Sequence, residues 1–163
     1  MNVEELYRAC FHPLYRFAMS LTAGASHEAE EIVQETFLRA LQHAGKLPDD
    51  AHVQAWLFRI ARNVHISRLR KRRRETDDSS LETVPSGDDV EARLADRDQA
   101  QRILAALHTL PEPYKEVFTL RALGEVPYGQ IATLFGKGES WARVTYYRAR
   151  VLLTDITQKE DQT

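Results

Sequence analysis

The most concentrated chemistry in this chain is a run of cations at the end of a predicted helix. The seven residues Arg68–Arg74 have the sequence RLRKRRR, and six of them are basic. Closely spaced arginine and lysine side chains bind phosphate groups without choosing among base sequences. A helix C-terminus also attracts cations through its dipole, but that effect accounts for only a few of them. We therefore predict that this run contacts nucleic acid.

A second group with recognition chemistry lies on one face of a later predicted helix. A short helix that starts near Pro127 is followed by a turn at Gly136 and by a longer helix, the order of a helix-turn-helix motif. The core stripe of the longer helix consists of Ala142, Tyr146, Ala149 and Leu153. Its outward positions carry residue types that suit a major groove, namely Ser140, Trp141, Arg143, Val144, Tyr147 and Arg148. On these residues alone, the alternative is an ordinary helical hairpin with a solvated basic face.

Helical periodicity predicts the elements that hold both groups in place. Apolar residues recur at helical spacing from Leu6 to Leu21, then in a second helix capped by Ser26, and in a third from about residue 53 to 74. Helical pattern returns with Ile103, Leu104, Leu107 and Leu110, and the last ten residues are expected to fray. Because no strand pattern is present, the predicted fold is all-α.

The segment between the two helical sets has the opposite charge to the run before it. Residues 75–89 contain acids, serines and no base, and they show no periodicity. This composition predicts a flexible acidic linker that is disordered when free. It favours a simple solvated tether. The alternative is an acidic segment that mimics nucleic acid or occupies a basic channel in a partner.

Bulk composition limits the class of protein. The chain has 163 residues, a net charge of −2 and a single cysteine, Cys10. One cysteine excludes a disulfide within the chain and suits a reducing compartment, and no apolar run approaches the length of a membrane span. We therefore expect a soluble, cytoplasmic protein without membrane insertion. The six histidines have no metal-ligand spacing and no glycine-rich phosphate loop is present, so we predict no catalytic residues, no metal and no cofactor.

Two stretches of the sequence resemble a known family. The segments EAEEIVQETFLRAL and AWLFRIARNVHISRLRKRRR resemble region 2 of the extracytoplasmic-function (ECF) sigma factors of bacterial RNA polymerase. The segment LPEPYKEVFTLRALGEVPYGQIATLFGKGESWARVTYYRAR is similar to their region 4. The resemblance implies two small helical domains, with region 2 at residues 1–74, an acidic linker at 75–97 and region 4 at 98–163. It also implies a factor that binds core RNA polymerase and directs it to promoters.

The resemblance assigns roles to residues of this chain. The surface that docks on the β′ coiled coil of polymerase corresponds to Glu30, Glu31, Gln34 and Glu35. The helix that meets −10 DNA carries Arg59, Arg62, Asn63, Arg70, Lys71, Arg72 and Arg73. The −35 element is read by Ser140, Trp141, Arg143, Val144, Tyr147 and Arg148. The other implied partners are the β flap of polymerase and an anti-sigma factor, which in relatives is often anchored in a membrane.

Other features follow from the same resemblance. Residues 45–53 match the loop that captures a flipped −10 base, and the linker matches the segment that threads toward the RNA exit path. Trp56 is expected to pack in the core. Two departures bear on promoter choice: Ser67 stands where many relatives have Asp, and the turn before the recognition helix is atypical at residues 137–142.

Two other classes of protein remain as alternatives. An enzyme would need a catalytic constellation, which the sequence does not supply. A stand-alone repressor or activator would also use a helix-turn-helix motif. Dependence on core polymerase for promoter-specific binding discriminates a sigma factor from such a regulator.

Overall fold

The computed structural model describes residues 2–76 and 90–161, and within those ranges it contains helices and loops but no strand. This confirms the all-α prediction. The helices are α1 (Val3–Leu21), α2 (Ser26–Gln42), α3 (Val53–Thr76), α4 (Val90–His108), α5 (Tyr114–Phe118), α6 (Tyr128–Phe135) and α7 (Glu139–Asp161). A 3₁₀ turn at Ala44–Lys46 follows α2, and a π-helical turn at Thr119–Leu123 continues α5.

Helices α1, α2 and α3 form the first helical unit. Each turns an apolar stripe inward because its apolar residues recur at three- and four-residue spacing. Phe17 of α1 stacks on Phe58 of α3 with their ring centroids 4.6 Å apart, and each ring is only 1% exposed. Full burial of a phenylalanine contributes about 1.5–3 kcal/mol, so this pair is a major contact between α1 and α3.

The second helical unit, α4–α7, contains the predicted helix-turn-helix motif. Gly136 ends α6 with φ +65°, a left-handed conformation that glycine adopts without strain. The chain then enters α7, whose residues Ala142, Ala149 and Leu153 are buried as predicted, while Tyr146 is partly buried. The small side chain of Ala132, 3% exposed, lets α6 approach α7 closely.

The two units pack against each other and share one continuous apolar core. Val117, Leu120 and Ile131 of the second unit belong to the same buried cluster as the stripes of α1–α3. At the centre of this contact Gly124 lies against Phe58, since a Cβ at position 124 would lie 2.8 Å from Cδ2 of Phe58. The same Cβ would lie 2.8 Å from the Leu120 carbonyl oxygen. A glycine is therefore needed at this position.

The start of α2 and the end of α7 differ from the sequence predictions. Ser26 is the first residue of α2 and not its cap, because the preceding turn brings Ala25 to the cap position without a side-chain hydrogen bond. Helix α7 continues to Asp161 instead of fraying, and Ile156 still packs against the buried cluster of Leu107 and Leu153. Helix α4 begins at Val90, directly after the segment 75–89 in which the sequence shows no periodicity. Residues 77–89 of the predicted linker lie outside the described residues, and the domain boundaries stay predictions.

Replacement of Gly124 by alanine should destabilise the contact between the two units. The added Cβ meets a backbone oxygen and a ring that is itself stacked on Phe17, so neither can move away easily. Overpacking of this kind costs about 1–3 kcal/mol, to be measured as the free energy of unfolding in denaturant. Gly129→Ala is the matched control, because a Cβ there meets no atom within 4 Å. Equal stability of the two variants would contradict the packing at Gly124.

Candidate nucleic-acid interface

The C-terminal end of α3 is a cationic surface. Arg70, Lys71, Arg72 and Arg73 are all exposed there. Leu69 is the last apolar residue of this helix, so no apolar contact holds its final turns against the bundle. Nη2 of Arg72 lies 3.0 Å from Oε1 of Glu28 on α2, which ties this arginine to the first unit. The exposed positions are those that can reach phosphate groups without a change of conformation.

Two further predicted DNA contacts, Arg59 and Arg62, pair with carboxylates of the second helical unit. Nε of Arg59 lies 2.7 Å from Oε1 of Glu116, and Nη1 of Arg62 lies 3.8 Å from Oε2 of the same carboxylate. Arg62 also forms an ion pair with Glu112. Arg62 is 7% exposed and Glu116 is 5% exposed, so this pair is buried, whereas the side chains of Arg59 and Glu112 are 36% and 49% exposed. In this arrangement α5 covers Arg62 and leaves Arg59 partly exposed.

Other groups of the second unit complete the environment of Arg59. Its Nη1 donates a hydrogen bond to the Leu134 carbonyl oxygen at 3.1 Å, and its guanidinium carbon lies 5.1 Å from the ring centroid of Phe135. Buried charges require such partners because their removal from water is costly. Sequence analysis missed Glu112 and Glu116, since acids near a helix N-terminus are ordinarily solvated and nothing in their spacing indicates a distant arginine.

Asn63 and Trp56 occupy different environments on α3. Asn63 is exposed, and its Oδ1 accepts a hydrogen bond from Nη1 of Arg62 at 3.3 Å. Trp56 is partly buried against the core, with its ring edge-on to His43 at a centroid distance of 6.3 Å. This placement agrees with the prediction that Trp56 packs in the core.

A small cleft between the units is lined by two histidines. His65 of α3 and His108 of α4 lie with their ring centroids 5.9 Å apart, beside Arg62 and Lys115. Burial lowers the pKa of His65 to about 4, and the charges of His108 and Arg72 act in the same direction. Burial also lowers the pKa of His108, together with Lys115 and other nearby cations. Both rings are therefore neutral near pH 7.

The predicted polymerase-binding residues on α2 differ in their exposure to solvent. Glu30 and Gln34 are exposed, whereas the side chains of Glu31 and Glu35 are about 40% exposed. Glu31 forms an ion pair with Arg68 of α3, and Glu35 pairs with Arg39 at 3.1 Å. Both were expected to be exposed polar positions, and these intramolecular pairs cover part of each side chain.

The outward face of α7 is largely as the spacing predicted. Ser140, Arg143, Val144, Tyr147 and Arg148 are exposed on this helix. Trp141 was expected among them, but it is partly buried because its ring packs on Phe135, with a centroid distance of 5.2 Å. Sequence analysis also missed Tyr128, whose ring lies against Arg143 at the start of the motif, and Arg121, which lies against the same ring.

The residues that the structure describes offer neither a metal site nor a membrane-spanning helix. No group of three histidine, cysteine or acidic side chains there is placed to hold a metal ion. Over the same residues, no helix combines the length and apolarity that a membrane crossing requires.

Comparison with known families matches both helical units. Sigma-70 region 2 matches residues 6–75, which include α1, α2 and nearly all of α3. Sigma-70 region 4 matches residues 100–153, which run from α4 into α7. The region 2 match contains the predicted DNA-contacting surface of α3, and the region 4 match contains that of α7.

Similar proteins cover most of the chain. The ECF RNA polymerase sigma factor SigM of Bacillus subtilis is 31% identical over 92% of this chain and 91% of its own length. EcfG of Rhodopseudomonas palustris is 34% identical over 88% of this chain and 78% of its own. Among solved structures, the sigma factor RpoE of Bartonella quintana, crystallised with the anti-sigma factor NepR, is 26% identical with a TM-score of 0.60. That match covers 95% of this chain and 96% of RpoE.

The buried neutral His65 should make stability depend on pH. Its pKa in the folded protein is about 4, below the ordinary 6.5, so the unfolded chain binds the proton more tightly. The stabilisation is present above pH 6.5 and should be lost as pH falls toward 4, by about 3 kcal/mol for a shift of this size. The measurement is the free energy of unfolding of wild type minus that of His65→Gln across this range. The exposed His12 gives the control, His12→Gln; equal pH slopes for wild type and both variants would contradict burial of a neutral His65.

Proposed function

The chain belongs to the ECF family of RNA polymerase sigma factors, and we propose that it contacts the −10 element through α3 and the −35 element through α7. As a member of this family it is an alternative sigma factor of transcription initiation. Sigma factors are not enzymes, and the proposal assigns no catalytic residue. Its site of action is the cytoplasm, where core polymerase and promoter DNA meet.

One observation carries the proposal for α7. Behind the left-handed turn at Gly136, a buried stripe holds one face of α7 while Arg143, Val144 and Tyr147 point away from the core. An exposed face that combines a guanidinium with apolar and aromatic groups suits the base edges of a major groove. The N-terminal position of Arg143 on this helix favours contact with bases over contact with phosphates.

The cationic end of α3 supports a separate role at the −10 element. Exposed Arg70, Lys71 and Arg73 form a dense positive surface that favours phosphates of any sequence. Asn63 adds an exposed amide for a base contact. Arg62 can join this surface only after α3 separates from α5, because it is buried against Glu116, whereas Arg59 is partly exposed and pairs with the same carboxylate.

We assign protein partners by the same logic. The exposed polar face of α2, with Glu30 and Gln34, is the proposed docking surface for the β′ coiled coil of core polymerase, and region 4 is proposed to meet the β flap. RpoE of Bartonella quintana was crystallised with an anti-sigma factor, which supports an anti-sigma partner here. A membrane anchor would belong to that partner and not to this chain.

The stand-alone regulator is the less favoured function. A helix-turn-helix repressor does not require a unit like α1–α3 for DNA binding. Sigma-70 region 2 matches this unit over residues 6–75, which favours the sigma factor. The two functions differ in one measurable property. Promoter-specific binding should require core polymerase for this protein, whereas a repressor binds its operator alone.

Two arginine substitutions should have different consequences for promoter binding. Arg143→Ala should relax discrimination at one or two −35 positions by about 1–3 kcal/mol, the value of a bidentate base contact. Arg70→Ala should weaken all promoters about equally and reduce the salt slope by about one unit, as loss of one phosphate contact predicts. Arg70 is preferred to Arg72 because Arg72 also pairs with Glu28.

The measurement is binding by the holoenzyme across a panel of −35 variants at several salt concentrations. A uniform loss for Arg143→Ala would move base reading to Ser140, Val144 or Tyr147.

Charge reversal on α2 should weaken polymerase binding. Glu30→Lys combined with Gln34→Lys places two cations on the proposed docking face without breaking an ion pair to α3, unlike a change at Glu31. The affinity for core polymerase should fall while helical content stays constant, because both positions are exposed. Glu4→Lys combined with Gln101→Lys, at exposed positions on α1 and α4, adds the same three units of positive charge away from α2 and is the control. Unchanged affinity of the double variant would reject α2 as the docking surface.

A further inference from the structure

We propose that Tyr128 is a positioning residue for −35 recognition, which holds the guanidinium of Arg143 ready to contact a base edge. This inference rests on the proposed function of Arg143. Tyr128 lies at the first position of α6, outside the recognition helix. It would therefore influence promoter choice through another side chain.

Arg143 is held on two sides while its guanidinium remains accessible. Its guanidinium carbon lies 4.9 Å from the ring centroid of Tyr128, within the range of a cation–π interaction. Its Nη2 donates a hydrogen bond to Oε1 of Glu139 at 2.6 Å, one turn earlier on α7. The side chain of Arg143 is nevertheless 61% exposed. The group is thus restrained and still available to DNA.

The Tyr128 ring is itself positioned by packing. It meets Tyr146 of α7 edge-on at a centroid distance of 6.0 Å. Tyr146 in turn stacks on Phe118 of α5 at 5.6 Å. A row of three rings therefore leads from the interior of the second unit to Arg143, and the core determines where the outermost ring lies.

Arg121 places a second cation on the same ring. Its guanidinium carbon lies 4.2 Å from the Tyr128 centroid, and its Nη1 donates to the Val126 carbonyl oxygen at 3.3 Å. Two guanidinium groups therefore share one ring at the start of the helix-turn-helix motif. Such a pair favours an anionic backbone nearby and would orient the motif on DNA.

Restraint matters because a bidentate contact depends on direction. An arginine on a flexible stem loses rotamer freedom when it binds, and a side chain that is ordered beforehand avoids part of that loss. The restraint also keeps the planar guanidinium in one orientation, which favours the base pair that matches it. Loss of the ring should therefore reduce discrimination among bases as well as affinity.

The test compares Tyr128→Leu with Tyr128→Phe in the full-length protein bound to core polymerase. Tyr128→Leu removes the aromatic face but keeps an apolar side chain against Tyr146. At the −35 positions that Arg143→Ala affects, it should reduce discrimination by about 2- to 5-fold, the range of an exposed cation–π contact. Tyr128→Phe retains the ring and should retain the discrimination of wild type. A merely destabilised protein would instead lose binding to all promoter variants alike.

A double substitution separates the possible outcomes. In the Arg143→Ala background, Tyr128→Leu should cause no further loss of discrimination, because its effect acts through Arg143. A further loss in that background would overturn the inference and assign the Tyr128 side chain a direct DNA contact. Equal uniform losses for Tyr128→Phe and Tyr128→Leu would also overturn it and assign that contact to the hydroxyl. If Arg143→Ala leaves discrimination unchanged, the proposed function of Arg143 fails instead.

Discussion

The buried carboxylate of Glu116, shared between Arg59 and Arg62, joins the two helical units of this protein. A carboxylate that is 5% exposed needs compensation for lost hydration, and both guanidinium groups supply it. A buried ion pair is weak evidence for net stability, but removal of one partner leaves an unpaired charge. The network therefore restricts how α5 can pack on α3 more than it adds to stability. The apolar contacts around Gly124 and Phe58 provide the favourable burial.

This constraint divides the cations of α3 into two sets. Arg59 and Arg62 lie on the part of the helix that packs against the second unit, whereas Arg70, Lys71 and Arg73 lie beyond its last apolar residue. The side chains of the second set are exposed in this arrangement. In the first set, Arg62 stays buried until the units part, and Arg59 is partly exposed but paired with Glu116. A single helix thus carries one surface that is accessible and one whose exposure depends on the relative position of region 4.

The recognition surface of α7 depends on a different physical feature. Its orientation follows from the left-handed turn at Gly136 and from the stripe of small residues that α7 buries. Trp141 closes the contact by packing on Phe135, the same ring that Arg59 approaches from α3. One end of the helix-turn-helix motif is therefore tied to the interface between the units, while Arg143 and Tyr147 remain exposed.

Local spacing in the sequence determined the helices, the turn at Gly136 and the core stripe of α7, because these features depend on residues within one or two turns of each other. It also determined the cationic run after Leu69, since six basic residues in seven need no tertiary context to be recognised. Family resemblance then supplied the role of each unit. Only the tertiary structure determined which of the α3 cations are exposed and which are paired with a carboxylate of the second unit. Arg59 and Arg70 are both arginines of α3. Glu116, which is 57 residues from Arg59 in the sequence, pairs with Arg59 and not with Arg70. Local periodicity carries no information about a partner at that separation. Such a partner is determined by how distant helices pack and by the cost of burying a charge.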